Sequence, residues 1–215
     1  LLAALILPTG AFAEVQTITA THTYILGDND SRNDARHLCF LQAKRKVLEQ
    51  AERVIRSQSV VNNFELTKDQ IASYSAAVLS VEIVKEVVGL SNGQYTLTQT
   101  VKADVDVDQV NTLLAAIVAD KSVADRVVQQ QQQIRELEEQ VQTLNSRLSV
   151  TTPGAASALR KERTVVLENI AGVDRMQLVA TQRIAREQET IQQKTERILK
   201  YVLRDMTPQE VLSLV

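Results

Sequence analysis

Residues 123–148 read VADRVVQQQQQIRELEEQVQTLNSRL, and apolar side chains return there every three and four positions. With Val127, Ile134, Val141 and Leu148 at position a of a heptad, Val123, Leu137 and Leu144 fall at d, and only Gln130 is out of pattern. A stripe this narrow marks a helix that pairs with another helix. It specifies no reaction, so what the chain does has to be sought in what such a helix holds.

Downstream, Thr151-Thr-Pro-Gly154 interrupts the pattern, with Thr152 and Pro153 suited to the N-cap and first turn of a following helix. Helix formers then dominate to about Asp205, and Ile170, Ile184, Ile191 and Ile198 keep multiples of seven, with Gln177 in the missing turn. Val166, Val173, Ala180 and Tyr201 supply the d positions, while Glu187 and Lys194 spoil them. Two long amphipathic helices around a Pro-Gly break predict an antiparallel coiled-coil hairpin, whose seams cover each other. β-branched residues at a with Leu at d favour instead a parallel two-stranded coiled coil. The e and g positions Gln131, Gln133, Glu138, Gln140, Asn145 and Arg147 carry too little charge to decide between them. Either way the expected partner is a protein, or a second copy, held along Val123, Val127, Ile134, Leu137, Val141, Leu144, Leu148, Ile170, Ile184, Ile191 and Ile198. The glutamine run 129–133 and Arg160-Lys-Glu-Arg163 read as solvated helix surface. Thr207-Pro-Gln-Glu210 is a capping box opening one further helix over 207–215, cut short after a turn. Residues 205–214, DMTPQEVLSL, are similar to the opening of small outer-membrane lipoprotein domains of the BamE/SmpA type, with Asp205 where glycine is usual.

Upstream, Asp106 or Asp108 can cap a helix from Gln109, and no Pro or Gly follows until Pro153. A single helix is therefore expected over 109–150, with roughly 40 residues extending about 60 Å. Its first turns, Val110, Leu113, Leu114, Ile117 and Val118, present a broader apolar face than the later seam and should pack on the preceding domain.

That domain reads as α+β over 14–108. Residues 15–26, VQTITATHTYIL, alternate as a strand, and Gly27-Asp-Asn-Asp-Ser31 ends it and offers helix caps. From Asp34, the positions Ala35, Leu38, Cys39, Gln42, Ala43, Lys46, Val47, Ala51, Val54 and Ile55 follow helical spacing. Asn62 and Asn63 interrupt, and Thr67-Lys-Asp-Gln70 caps a short helix over 68–75. Strands over 78–88 and 94–107 flank Asn92-Gly93, the strongest short-range hairpin signal. The order β-α-α-β-β predicts a small antiparallel sheet under one long helix, with Thr96, Thr98 and Thr100 on the open face.

These same residues resemble the N-terminal domain of the flagellar assembly protein FlgT and related periplasmic envelope domains. The resemblance rests on Ala35-Arg36, Ala43, Arg45, Asp69, Ile71 and Ser75 within SRNDARHLCFLQAKRKVLEQA and LTKDQIASYSAAVLSVEIVKE. Cys39 stands where a small alanine is usual, and Ala76-Ala77 replaces the glycine expected after the serine. The resemblance covers about 90 residues and implies a non-enzymatic envelope protein, without implying a flagellar role.

The chain opens LLAALIL, breaks at Pro8 and Gly10, and presents Ala11-Phe-Ala13 before Glu14. An apolar run too short to span a bilayer, then a breaker and an A-x-A site, is the tail of a secretory signal peptide cleaved after Ala13. Without Met or a basic leader, the start of the gene product is expected to be missing. The expected location is periplasmic or secreted, with envelope association but no membrane span once processed. The organisation is then a signal remnant over 1–13, an α+β domain over 14–108, a heptad helix over 109–150, a second long helix over 151–206 and a helix start over 207–215.

Composition narrows the function classes. The 215 residues are 44% apolar but only 3% aromatic, with no Trp, so the globular core is light. A net charge of -2 and few aromatics argue against nucleic acid. Cys39 is the only cysteine, which excludes an internal disulfide and reads as a buried helix residue. His22 and His37 lack spaced metal-ligating partners. Asp104, Asp106 and Asp108 share one strand face without a calcium-loop glycine, and read as a solvated edge with caps. No nucleophile elbow, phosphate loop or zinc helix occurs, so no enzyme, cofactor or metal is expected. Two functions remain: an envelope assembly or interaction protein acting through its coiled coil, and a periplasmic small-ligand or ion-binding module. The first expects residues 14–108 to fold without the heptad segment.

Overall fold

The computed structural model describes residues 15–58, 66–152 and 154–204. The expected signal segment, the Asn62-Asn63 interruption, Pro153 and the helix start over 207–215 lie outside them. The described residues form β1 (Gln16–Ile25), α1 (Arg32–Gln58), α2 (Lys68–Val78), β2 (Glu82–Ser91), β3 (Gln94–Val105), α3 (Val107–Ala119), α4 (Lys121–Ser149) and α5 (Ser157–Arg204). The fold is α+β: the described residues make a three-stranded antiparallel sheet in the order β1-β3-β2, with five helices.

The sheet follows from its alternation. β1 pairs with β3 in unbroken register from Gln16 opposite Val105 to Ile25 opposite Thr96. Asn92 and Gly93 both take positive φ, 51° and 78°, and close the β2–β3 hairpin as a tight primed turn. Ile18, Ala20, Leu97, Val101, Ala103 and Val105 turn to one face and are buried. On the open face Thr21 meets Thr100 at 2.9 Å and Thr23 meets Thr98 at 2.8 Å, hydroxyl to hydroxyl.

α1 covers the apolar face with the small residues that its spacing implied. Ala35, Cys39, Ala43, Val47, Ala51 and Ile55 are all fully buried. Its cap is Ser31, whose Oγ accepts from the backbone N–H of Asp34 at 3.0 Å. α2 opens on the expected capping box: Thr67 Oγ1 accepts from Gln70 N–H at 3.2 Å, and Gln70 Oε1 accepts from Thr67 N–H at 2.9 Å.

The single helix expected over 109–150 is two. Asp106 caps α3 by accepting from Gln109 N–H at 3.0 Å, and α3 ends at Ala119. Asp120 is extended, and its Oδ1 accepts from the N–H groups of Ser122 at 2.9 Å and Val123 at 3.3 Å, starting α4 afresh. A short acidic side chain that bonds the backbone ahead of it offers the chain an alternative to a continuous helix, so neither Pro nor Gly is needed to break one.

α4 and α5 lie against each other in opposite directions. Gln131 Nε2 donates to Gln177 Oε1 at 2.8 Å, whereas Asn145, further along α4, accepts from Arg163, further back along α5, at 2.8 Å. Ile134, Val141 and Leu144 of α4 share a buried cluster with Val166, Leu167, Ile170 and Val173 of α5, and Leu38 of α1 joins it. The α4 seam is thus covered from two sides, by α5 and by the domain. A second cluster joins Val110, Leu114 and Ile117 of α3 and Val127 of α4 to the sheet, α1 and α2, so one core crosses position 108.

α5 starts at Ser157 rather than directly after Pro153, because the Thr152 carbonyl first accepts from Ala155 and Ala156 in a turn. Its 48 residues would span about 72 Å. Gly172 lies in its interior, and a Cβ there would meet nothing within 4 Å among the described residues. Gly172→Ala should therefore stabilise the fold by about 0.5–1 kcal/mol, read as a higher urea midpoint with unchanged slope.

Candidate functional site

The groups that could carry chemistry are occupied structurally. Cys39 Sγ lies 3.3 Å from the carbonyl oxygens of both His22 and Leu97, which share its single S–H, and burial pushes its thiol above the ordinary range. His22 lies beside Lys46 Nζ at 3.4 Å, and burial and then that charge hold its imidazole below the usual histidine range. Asp104 accepts from Thr17 and Lys102, Asp106 caps α3, and the Asp108 carbonyl accepts from Thr112. Among the described residues no group of three His, Cys, Asp or Glu side chains could hold a metal ion.

The densest polar cluster is an ionic clamp centred on Arg163, which is 1% exposed. Its Nη1 donates to Asp30 at 2.7 Å and Asn145 at 2.8 Å, and its Nη2 to Asp34 at 3.0 Å. Thr164 donates to the other oxygen of Asp34, and Tyr24 to Asp30. Asn29 Nδ2 completes the clamp by donating to the carbonyls of Leu148 and Thr151. The α4–α5 connection is fastened in this way to the loop between β1 and α1. Arg163, expected as solvated surface, is therefore a correction. The signal was present, because Arg163 precedes Ile170 by seven residues and so occupies the same inward position.

Two concavities of similar size flank α4. One, of about 560 Å³, has Leu41, Lys44, Arg45, Ile134, Glu138 and Asp174 in its wall. Its facing charges pair across it, Lys44 with Asp174 at 2.7 Å and Arg45 with Glu138 at 2.6 Å. The other, of about 580 Å³, lies where α3, α4 and α5 meet and is lined by Val123, Val127, Met176, Val179 and Ile184.

Among the described residues two apolar surfaces are left uncovered. β2 is exposed along nearly its whole length, with Val88 and Leu90 on the helix-covered side of the sheet and Val87 on the threonine side. α1 overlies β1 and β3 and meets β2 through the Arg36–Glu86 ion pair rather than covering it. No described strand pairs with the outer edge of β2, and a bulge at Val84 together with Lys85 and Glu86 interrupts that edge as a pairing template.

The larger surface is the far half of α5. Val127, Ile134, Val141, Leu144, Leu148 and Ile170 are buried, and Val123, Leu137 and Ile184 half-buried. Ile191 and Ile198 are 56% and 63% exposed. Every position from 189 to 201 is exposed, so the helix runs on past the body it is packed against. The seam residues thus divide into a set that the chain covers for itself and a set that it presents outward. No helix among the described residues is long and apolar enough to cross a membrane. Comparison with known proteins finds no matching family, curated protein or solved structure.

Proposed function

We propose that the chain is a non-enzymatic protein of the bacterial cell envelope, exported with cleavage after Ala13, that works by holding a protein partner. The contact is made by the outer half of α5, where an α4–α5 coiled-coil hairpin continues as one helix. The observation that carries this reading is the exposure of Ile191 and Ile198 on a stripe whose earlier members are covered. Large apolar residues repeated at heptad spacing on an otherwise polar helix mark a face made for another helix. The resemblance of the N-terminal region to FlgT-type periplasmic domains supports the compartment. Arg36, one of the residues that carries it, is bound to Glu86 at 2.6 Å, which ties α1 to β2.

The test is crosslinking in the periplasm of the native host with wild type and with Ile191→Asp/Ile198→Asp. Both positions are exposed, so the substituted protein should keep its circular dichroism spectrum and lose its crosslinked species. Crosslinks that persist unchanged would remove the reading.

A further inference from the structure

Which partner fits the outer half of α5 is decided by the residues between its isoleucines. With Ile184, Ile191 and Ile198 at a, the d positions are Glu187, Lys194 and Tyr201. A partner helix has to cover three isoleucines while accommodating one buried-facing acid and one base. A neutral heptad helix would leave both charges without a counterpart.

Resting on the reading of this segment as an interaction surface, we propose that its occupant is the same segment of a second copy, paired antiparallel. In that arrangement a positions meet d positions of the other helix. Ile184 packs across from Tyr201 of the second copy, Glu187 from Ile198, and Ile191 from Lys194. Glu187 and the second copy's Lys194 then occupy adjacent layers side by side, and the two-fold axis repeats the pair. Their stems lie over the isoleucines while the charges meet at the rim. A parallel pair would instead set Glu187 against Glu187 and Lys194 against Lys194. Glu187 now accepts from exposed Arg183 on its own helix at 2.9 Å, a solvated pair that is easily exchanged.

The body of the molecule points the same way. Ile184 is half-buried against the core at the base of the outer segment. A parallel pair beginning there would bring two bodies to one end of the helices. The antiparallel pair puts them at opposite ends, separated by the 17 helical steps from Ile184 to Tyr201, about 26 Å. The end of each α5 then arrives at the apolar concavity beside Ile184, which Val123, Met176 and Val179 line and Glu187 borders. The exposed stripe and this concavity share Ile184 and Glu187, so the helix of a second copy that covers the stripe ends at the rim of the concavity.

The test is sedimentation equilibrium of the full chain up to roughly 0.5 mM, for wild type, Lys194→Glu, Glu187→Lys and the double charge swap. Wild type should dimerise, each single reversal should weaken the dimer by about tenfold or more, and the double swap should restore it. Ile198→Cys supplies a second, orientation-specific reading, since Cys39 is fully buried. Under mild oxidation the cysteines at 198 stay uncrosslinked in an antiparallel pair and link readily in a parallel one. A wild-type monomer throughout, single reversals without effect, a double swap that fails to rescue, or a disulfide at 198 would each overturn the proposal. Should the wild type stay monomeric while Ile191→Asp/Ile198→Asp still abolishes crosslinking in the host, the interaction surface stands and the second copy falls. If neither responds, both fall.

Discussion

Replacing Arg163 with methionine lowers the stability of the folded chain by about 3–5 kcal/mol, the largest effect expected of any polar substitution here. Among the described residues the guanidinium is the only cation bonded to Asp34, which is itself 2% exposed, and it also holds Asp30. Methionine fills much of the same space, so what is lost is the charge and not the packing. Two buried carboxylates are then left facing Asn145, Tyr24 and Thr164, none of which carries a positive charge. For a chain of this size the loss corresponds to a fall in melting temperature of roughly 6–20 °C. The triple variant Arg163→Met/Asp30→Asn/Asp34→Asn should recover much of it, because removing every charge of a buried ionic cluster costs far less than removing one. A single variant within about 1 kcal/mol of wild type by urea unfolding would show the clamp to be solvated rather than buried.

That clamp also shows where the sequence stopped being legible. The β-α-α-β-β order, the Asn-Gly turn and the Thr67 capping box are local: each depends on a few neighbouring residues whose backbone preferences agree with the fold. Arg163 is different, because its partners Asp30 and Asp34 lie about 130 positions earlier in the chain, and no spacing rule connects them. Only its heptad position hinted that it points inward. The same limit explains the seam. Its period announced a helical partner, but a stripe shows that something covers it and not how many things do, and here both α5 and Leu38 of α1 contribute.

The break at Asp120 was legible in principle. Asp-x-Ser at a helix start is an ordinary cap, but within a run of helix formers it was outweighed by the absence of Pro and Gly. The consequence is large. A continuous helix would have carried the heptad seam away from the domain, whereas the turn at Asp120 lays it back along α1. The outer half of α5 remained ambiguous for the opposite reason. Ile191 and Ile198 continue the a-position stripe of Ile170, and although the d positions turn from Val173 and Ala180 to Glu187 and Lys194, spoiled d positions mark a weaker seam without marking whether the chain covers it.

Leu114→Ala tests whether the body is one cooperative unit. Leu114 lies on α3, outside the N-terminal region expected to fold alone, yet it is fully buried in one cluster with Val47, Ala51, Val101 and Val105. Truncation to alanine should cost about 2–5 kcal/mol, from lost burial and the cavity left behind. The more telling outcome is where the loss registers. If the sheet domain were independent of the helices, amide protons of β1 and β3 would keep their wild-type protection while those of α4 and the first half of α5 lost theirs. A core that runs from Val101 through Leu114 to Val127 makes the expectation different: protection should fall by the same free energy in β3, α1 and α4 together. By the same argument a fragment of residues 15–108 should fail to fold, since it exposes Ile71, Tyr74 and Val105 on the side that α3 covers and Leu38 on the side that α4 and α5 cover. Only the outer half of α5, from about Glu189 to Lys200, should exchange independently of the rest, because every position along it is exposed.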